Sequence, residues 1–135
     1  MKPHKNANKS VNSVEPRVFK GKRTTNITID ALQDYLSDRY SGWANEQSVF
    51  IKLIEEIGEV AEVLNKRAGR KASQEDDLQD QLGVELADMI HYIVAIAALN
   101  HIDLTETILR KDKTAAVKYH HTIDLETFLK KRETQ

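Results

Sequence analysis

The sequence predicts an all-α fold: a four-helix-bundle-like core with a short extra helix at the C-terminal end. Three observations carry this. From Thr28 onward apolar residues recur at helical spacing, with no proline and only four glycines to interrupt them. No run of alternating β-formers is flanked by hairpin turns. Capping-box spacing occurs at Asp30/Gln33 and at Asp103/Glu106, each preceded by an isoleucine.

The pattern reads in chain order as follows. Asp30 opens a first helix carrying Leu32, Tyr35, Leu36 and Tyr40, which Gly42 ends. A second runs from Asn45 or Gln47 to Arg67, with Val49, Phe50, Leu53, Ile57, Val60, Ala61 and Leu64 on one stripe. The breaker-containing loop of residues 69–73 follows, flanked by Arg67, Arg70 and Lys71. The third helix, Glu75 to Leu99, is apolar on nearly every side in its second half, which predicts a position at the centre of an assembly. The fourth spans Asp103 to Tyr119. A short last helix, Asp124 to Lys131, presents Leu125, Phe128 and Leu129 to a neighbour.

Composition bounds the chemistry. At 135 residues, 40% hydrophobic and 30% charged, the chain has room for one core. The absence of cysteine excludes disulfides, thiolate metal sites and cysteine nucleophiles, and predicts a cytoplasmic address. The longest candidate span, Met89 to Leu99, is interrupted by His91 and falls short of a bilayer span, so no membrane partner is expected. Nor does an apolar segment follow the basic start as in a secretory signal. The formal charge of −1 conceals an asymmetry. Residues 1–26 hold seven Lys or Arg against Glu15 alone, and read as a basic flexible tail ahead of a helical domain over residues 27–135. Without interleaved aromatics that tail is a weak signal for nucleic acid.

The informative feature is a pairing of the second and third helices. With Leu53 at zero and about 100 degrees per residue, Glu56 falls near 300 degrees and Glu59 near 240; counted from Leu82, Glu85 and Asp88 take the same two angles. The apolar stripe centres near about 20 degrees on both helices, leaving Glu56 and Glu85 beside the core. Packing the stripes together brings four carboxylates into one place, where like charges raise one another's pKa unless a cation neutralises them. An all-oxygen set suits Mg2+, with Mn2+ as a substitute, and Mg2+ favours phosphate-bearing partners. Glu55 is a supporting candidate, while Glu62 points to solvent. A diiron bundle would need Glu-x-x-His on two helices, which this chain lacks. His91 falls about 60 degrees further from the stripe centre than Asp88 and reads as a hydrogen-bonded helix residue. Lys111 and Lys118, seven apart on the fourth helix and followed by Tyr119, are candidate phosphate contacts. Trp43, the only tryptophan, is either a base-stacking wall or a core plug.

These residues carry a resemblance. Glu55, Glu56, Ile57, Gly58 and Glu59, followed after 25 residues by Glu85, Leu86, Ala87 and Asp88, look like the EExxE…ExxD signature of the MazG-like all-α nucleoside triphosphate pyrophosphohydrolases. The similarity runs from Ile29 to Tyr119. It implies Mg2+-dependent cleavage of a nucleoside triphosphate, typically a deoxynucleotide, to the monophosphate and pyrophosphate. It implies that Glu56, Glu59, Glu85 and Asp88 bind metal, that Glu55 or Glu59 orients the water, and that the chain is a homodimer or homotetramer with sites near subunit contacts. The fourth helix departs from the pattern: Ala115 stands where many relatives carry an Asn, and Lys118 where they carry an arginine. That bears on substrate placement rather than on the metal. The alternatives are a noncatalytic helical interaction module, or a related phosphohydrolase acting on a phosphoribosyl nucleotide.

Overall fold

The computed structural model describes residues 24–42, 44–69 and 77–135. Among them are five helices: α1 (Ile29–Tyr40), α2 (Glu46–Arg67), α3 (Leu78–Leu99), α4 (Leu104–Lys118) and α5 (Leu125–Glu133). The basic tail up to Arg23, Trp43, and the loop and helix start expected over residues 70–76 lie outside the described residues.

Every helix begins on a side-chain cap. Thr28, Asn45, Asp77, Asp103 and Asp124 each accept the backbone N–H three residues on, at 2.8–3.1 Å. Each bond satisfies a donor that the first helical turn leaves open and is worth about 1 kcal/mol. The first cap corrects the expectation. Thr28, in extended backbone, caps α1, and Asp30 lies inside the first turn. The two capping-box residues serve tertiary contacts instead. Asp30 accepts from the Thr105 hydroxyl at 2.6 Å, and the Gln33 amide donates to the Ile102 carbonyl while its oxygen accepts from Leu104 N–H at 3.4 Å. Together they tie α1 to the start of α4.

The architecture is an all-α bundle. α2 and α3 pair along their lengths, α1 lies against α3, and α4 packs on α1 and α5. Leu36, Tyr40, Val49, Val94 and Ala95 form the centre of the core. Small side chains at Ala95, Ala97 and Ala98 let the C-terminal half of α3 sit deep in it. α5 is joined to α4 through Asp112, whose carboxylate accepts the Leu125 N–H at 2.6 Å.

The buried face of α2 differs from the expected stripe. Its fully buried residues are Val49 and Val63, with Leu53, Glu56 and Val60 half-buried between them, a face centred near about 300 degrees on the sequence's helical wheel rather than 20. Phe50, Ile54, Ile57 and Leu64 of α2 and Leu86, Ile90 and Ile93 of α3 remain 42–52% exposed. Apolar periodicity records where apolar residues fall on a helix, and the neighbouring helices of this chain cover only part of that face. A Cβ built at Gly58 or Gly83 meets nothing within 4 Å, so no close approach within the chain explains these helix glycines. By length and mean composition α3 is apolar enough to cross a membrane, although no uninterrupted run is. It carries Glu85 and Asp88 and packs on α1 and α2.

Two helix ends are strained. α3 and α4 both finish in paired bonds that reach back from just beyond the helix: Ile102 N–H to Ala97 O at 3.0 Å with His101 N–H to Ala98 O at 3.2 Å, and His121 N–H to Ala116 O at 2.9 Å with His120 N–H to Val117 O at 3.4 Å. This termination needs a left-handed residue, which is usually glycine. Here it is His101 (φ 54°) and His120 (φ 55°). His120→Gly is expected to stabilise the fold by about 0.5–1 kcal/mol, as the relieved strain exceeds the entropy of the added glycine. The measurement is a higher urea midpoint at unchanged m-value.

Candidate functional site

The seam between α2 and α3 holds the carboxylates. Carboxylate oxygens of Glu56, Glu85 and Asp88 all lie within 4.8 Å of one another, with Glu56 and Glu85 half-buried and Asp88 exposed. Glu56 is there because the inward face of α2 is centred on it, between Leu53 and Val60. On α3 the two acids are one turn apart, beside the half-buried Leu82 and Met89. Oxygen ligands on opposite corners of a Mg2+ octahedron are about 4.2 Å apart, so the group has the scale and donor chemistry of a hard-cation site.

Electrostatics mark the strain of this grouping. Glu56 is held above the ordinary carboxylate range, first by burial, then by a hydrogen bond with Glu85 and by the charges of Asp88, Glu85 and Glu59. Glu59 therefore acts on Glu56 from outside the tight group. Glu55 faces away from it and pairs with Lys52 at 2.8 Å. Glu62 is 3.8 Å from Lys66.

A cavity of about 310 Å³ lies beside the carboxylate row, lined by Tyr40, Ala44, Ser48, Val49, Lys52 and Tyr92. Lys52 is one turn before Glu56 on α2, and Tyr92 one turn after Asp88 on α3, so the rows that carry the acids also carry the cavity wall. The phenol of Tyr92 is pushed up by burial, then by Tyr40, Glu56 and Asp88, against the pull of Lys52. Sequence reasoning missed Lys52, Ser48 and Tyr92. Extending both acidic rows by one turn would have found the first and the last.

The fourth-helix candidates sit elsewhere. Lys118 Nζ is 5.2 Å from the centre of the Tyr119 ring, which stacks on His121. α4 packs on α1 and α5, and the groups acting on Glu56 belong to α2 and α3. Within one chain, Lys111, Lys118 and Tyr119 are thus not gathered with the carboxylates. A larger cavity, about 490 Å³, is lined by Asp30, Asp34, His101 and Asp103 between α1 and the α3–α4 connection. Its acids form no metal-sized group, and Asp30 is engaged by Thr105.

A family model described as the MazG nucleotide pyrophosphohydrolase domain matches residues 44–120, more than half of the chain and all of the carboxylate seam. The chain belongs to the MazG family. Among solved structures it is similar to iMazG from Vibrio DAT 722, at 28% identity and a TM-score of 0.52, over 69% of this chain and 98% of that one. No curated protein matches. The family match begins at Ala44, so α1, whose Tyr40 lines the cavity, and α5 lie outside the residues it covers. Family membership makes the chain a nucleotide-related hydrolase, and the acidic seam supplies a place for a divalent cation.

The raised pKa of Glu56 has a stability consequence. Its contribution is fully present below the unfolded carboxylate value and is lost as pH rises through the elevated folded value. The Tm advantage of Glu56→Gln over the native protein is therefore expected to grow as pH rises. Millimolar Mg2+ should raise the native Tm and move the variant far less. Thermal melts from pH 4 to 8, with and without Mg2+, measure both.

Proposed function

We propose that this protein hydrolyses a nucleoside triphosphate, with deoxynucleotides as the expected class, to the monophosphate and pyrophosphate in a Mg2+-dependent reaction. The observation that carries this is the convergence of Glu56, Glu85 and Asp88 at the α2–α3 seam of a MazG-family chain. These three, joined by Glu59 when the cation is present, hold the metal. A divalent ion bound there supplies positive charge to the triphosphate oxygens.

The chain's own groups do the rest. Lys52 exchanges Glu55 for a phosphate oxygen, and Glu55 serves as its resting counter-ion. Glu59, one turn along α2 from Glu56, orients the attacking water and takes its proton as the oxygen bonds to the α-phosphorus. The bond from that phosphorus to the bridging oxygen breaks in line, and pyrophosphate leaves. The cavity walled by Tyr40 and Tyr92 receives the nucleoside, its rings offering flat apolar surface and its Ser48 and Lys52 polar contacts.

The uncovered apolar face of α2 and α3 meets a second copy, giving a homodimer or a homotetramer. That contact is also the route by which Lys111 and Lys118 of another copy reach the phosphates.

A panel of canonical and modified nucleoside triphosphates with Mg2+, assayed for products, tests the reaction. Monophosphate plus pyrophosphate is expected; orthophosphate as first product, or no turnover, would overturn it. Glu56→Gln should retain the native circular dichroism and lose about a hundredfold or more in rate. Light scattering should give twice or four times the chain mass for the native protein, and Ile90→Glu should lower it.

A further inference from the structure

His91 lies one turn beyond Asp88 on α3, half-buried and facing α1. Its Nε2 and the Tyr40 hydroxyl share a hydrogen bond of 2.7 Å. Its ring meets Tyr40 edge-on at 5.7 Å and Tyr92 edge-on at 5.0 Å, at interplanar angles of 73° and 78°. One imidazole thus touches both phenol rings that line the 310 Å³ cavity, without lining the cavity itself.

A packing role alone does not account for a histidine here. Its ring neighbours Tyr40 and Tyr92 belong to or pack on the apolar core, and leucine or phenylalanine would fill such a place without desolvating two ring nitrogens. The Tyr40 bond recovers part of that cost. Tyr40 needs the anchor, being the last residue of α1 before the turn at Ser41 and Gly42. Burial, then the Arg39 guanidinium, push the imidazole below its usual range, against the charge of Asp88.

We infer that His91 is a positioning residue of the nucleoside cavity: through Tyr40 and Tyr92 it holds both aromatic walls at a fixed separation, and so governs how tightly the nucleoside is held rather than how fast the phosphoanhydride breaks. This rests on the reaction proposed above and deepens it.

Four variants test it by pyrophosphate release with Mg2+ and the best triphosphate of the panel. His91→Phe keeps a ring and removes its nitrogens, and should raise KM about tenfold, the worth of one hydrogen bond, with kcat within about threefold. His91→Gln restores a partner for the phenol and should return KM to within about threefold of native. Tyr40→Phe should reproduce the KM of His91→Phe, and the double variant should be no worse than either single one. An unchanged KM with a lowered Tm reduces His91 to a structural residue and overturns the inference, as does a loss confined to kcat or additive losses in the double variant. Should His91→Phe fail to fold, an unchanged KM in Tyr40→Phe overturns it equally.

Calorimetric binding of a non-hydrolysable α,β-imido triphosphate separates the two levels of argument. Native binding without turnover, weakened about tenfold by His91→Phe, supports the positioning role while the hydrolysis reading fails. No native binding and no turnover sink both.

Discussion

Three carboxylates pressed together at one helix seam are the constraint on which the rest of the structure depends. Glu56, Glu85 and Asp88 repel one another, and the packing of α2 on α3 must hold them against that repulsion. Two 22-residue helices, each fixed at its start by a side-chain cap, form the stiff pair that does so. A site on paired helices keeps its geometry better than one on loops. The stress in Glu56 marks the unmet charge: a cation is the group that would turn repulsion into binding energy.

The same two helices explain why the chain buries so little. The buried apolar set among the described residues is short, whereas nine large apolar residues of α2 and α3 stay about half exposed. Covering the remainder is worth roughly 1 kcal/mol for each such side chain, enough in sum to favour association. The fourth-helix cations fit this picture. Within one chain α4 lies on α1 and α5, so the proposed phosphate role of its basic residues requires that another copy bring them to the seam.

The cavity beside the carboxylates depends on α1, whose Tyr40 forms part of its wall. Gln33 and Asp30 fasten this helix to the start of α4, and Tyr40 fastens it to His91. Through those bonds a helix without a carboxylate in the acidic group shapes the cavity beside it. The shape of that cavity is accordingly a property of the α1–α3 contact, whereas the acidic group belongs to α2 and α3.

Much of the fold was legible before any coordinates. Helical periodicity, glycine stops and cap residues identified five helices to within a few residues, because these signals are local and act through backbone hydrogen bonds. The acidic rows were legible for the same reason, since phase along a helix follows from residue number. Asp30 and Gln33 show the limit: their spacing is that of a capping box, yet both serve contacts some seventy residues away. The inward face of α2 shows it again, because periodicity records where apolar residues fall and cannot say which of them a helix of the same chain covers. The sequence by itself determined the helices and the two acidic rows. Only the tertiary structure decided which carboxylates meet, that Lys52 and Tyr92 wall one cavity, and that His91 reaches Tyr40 across 51 positions, because those depend on the rotation and docking of whole helices, which no local signal encodes.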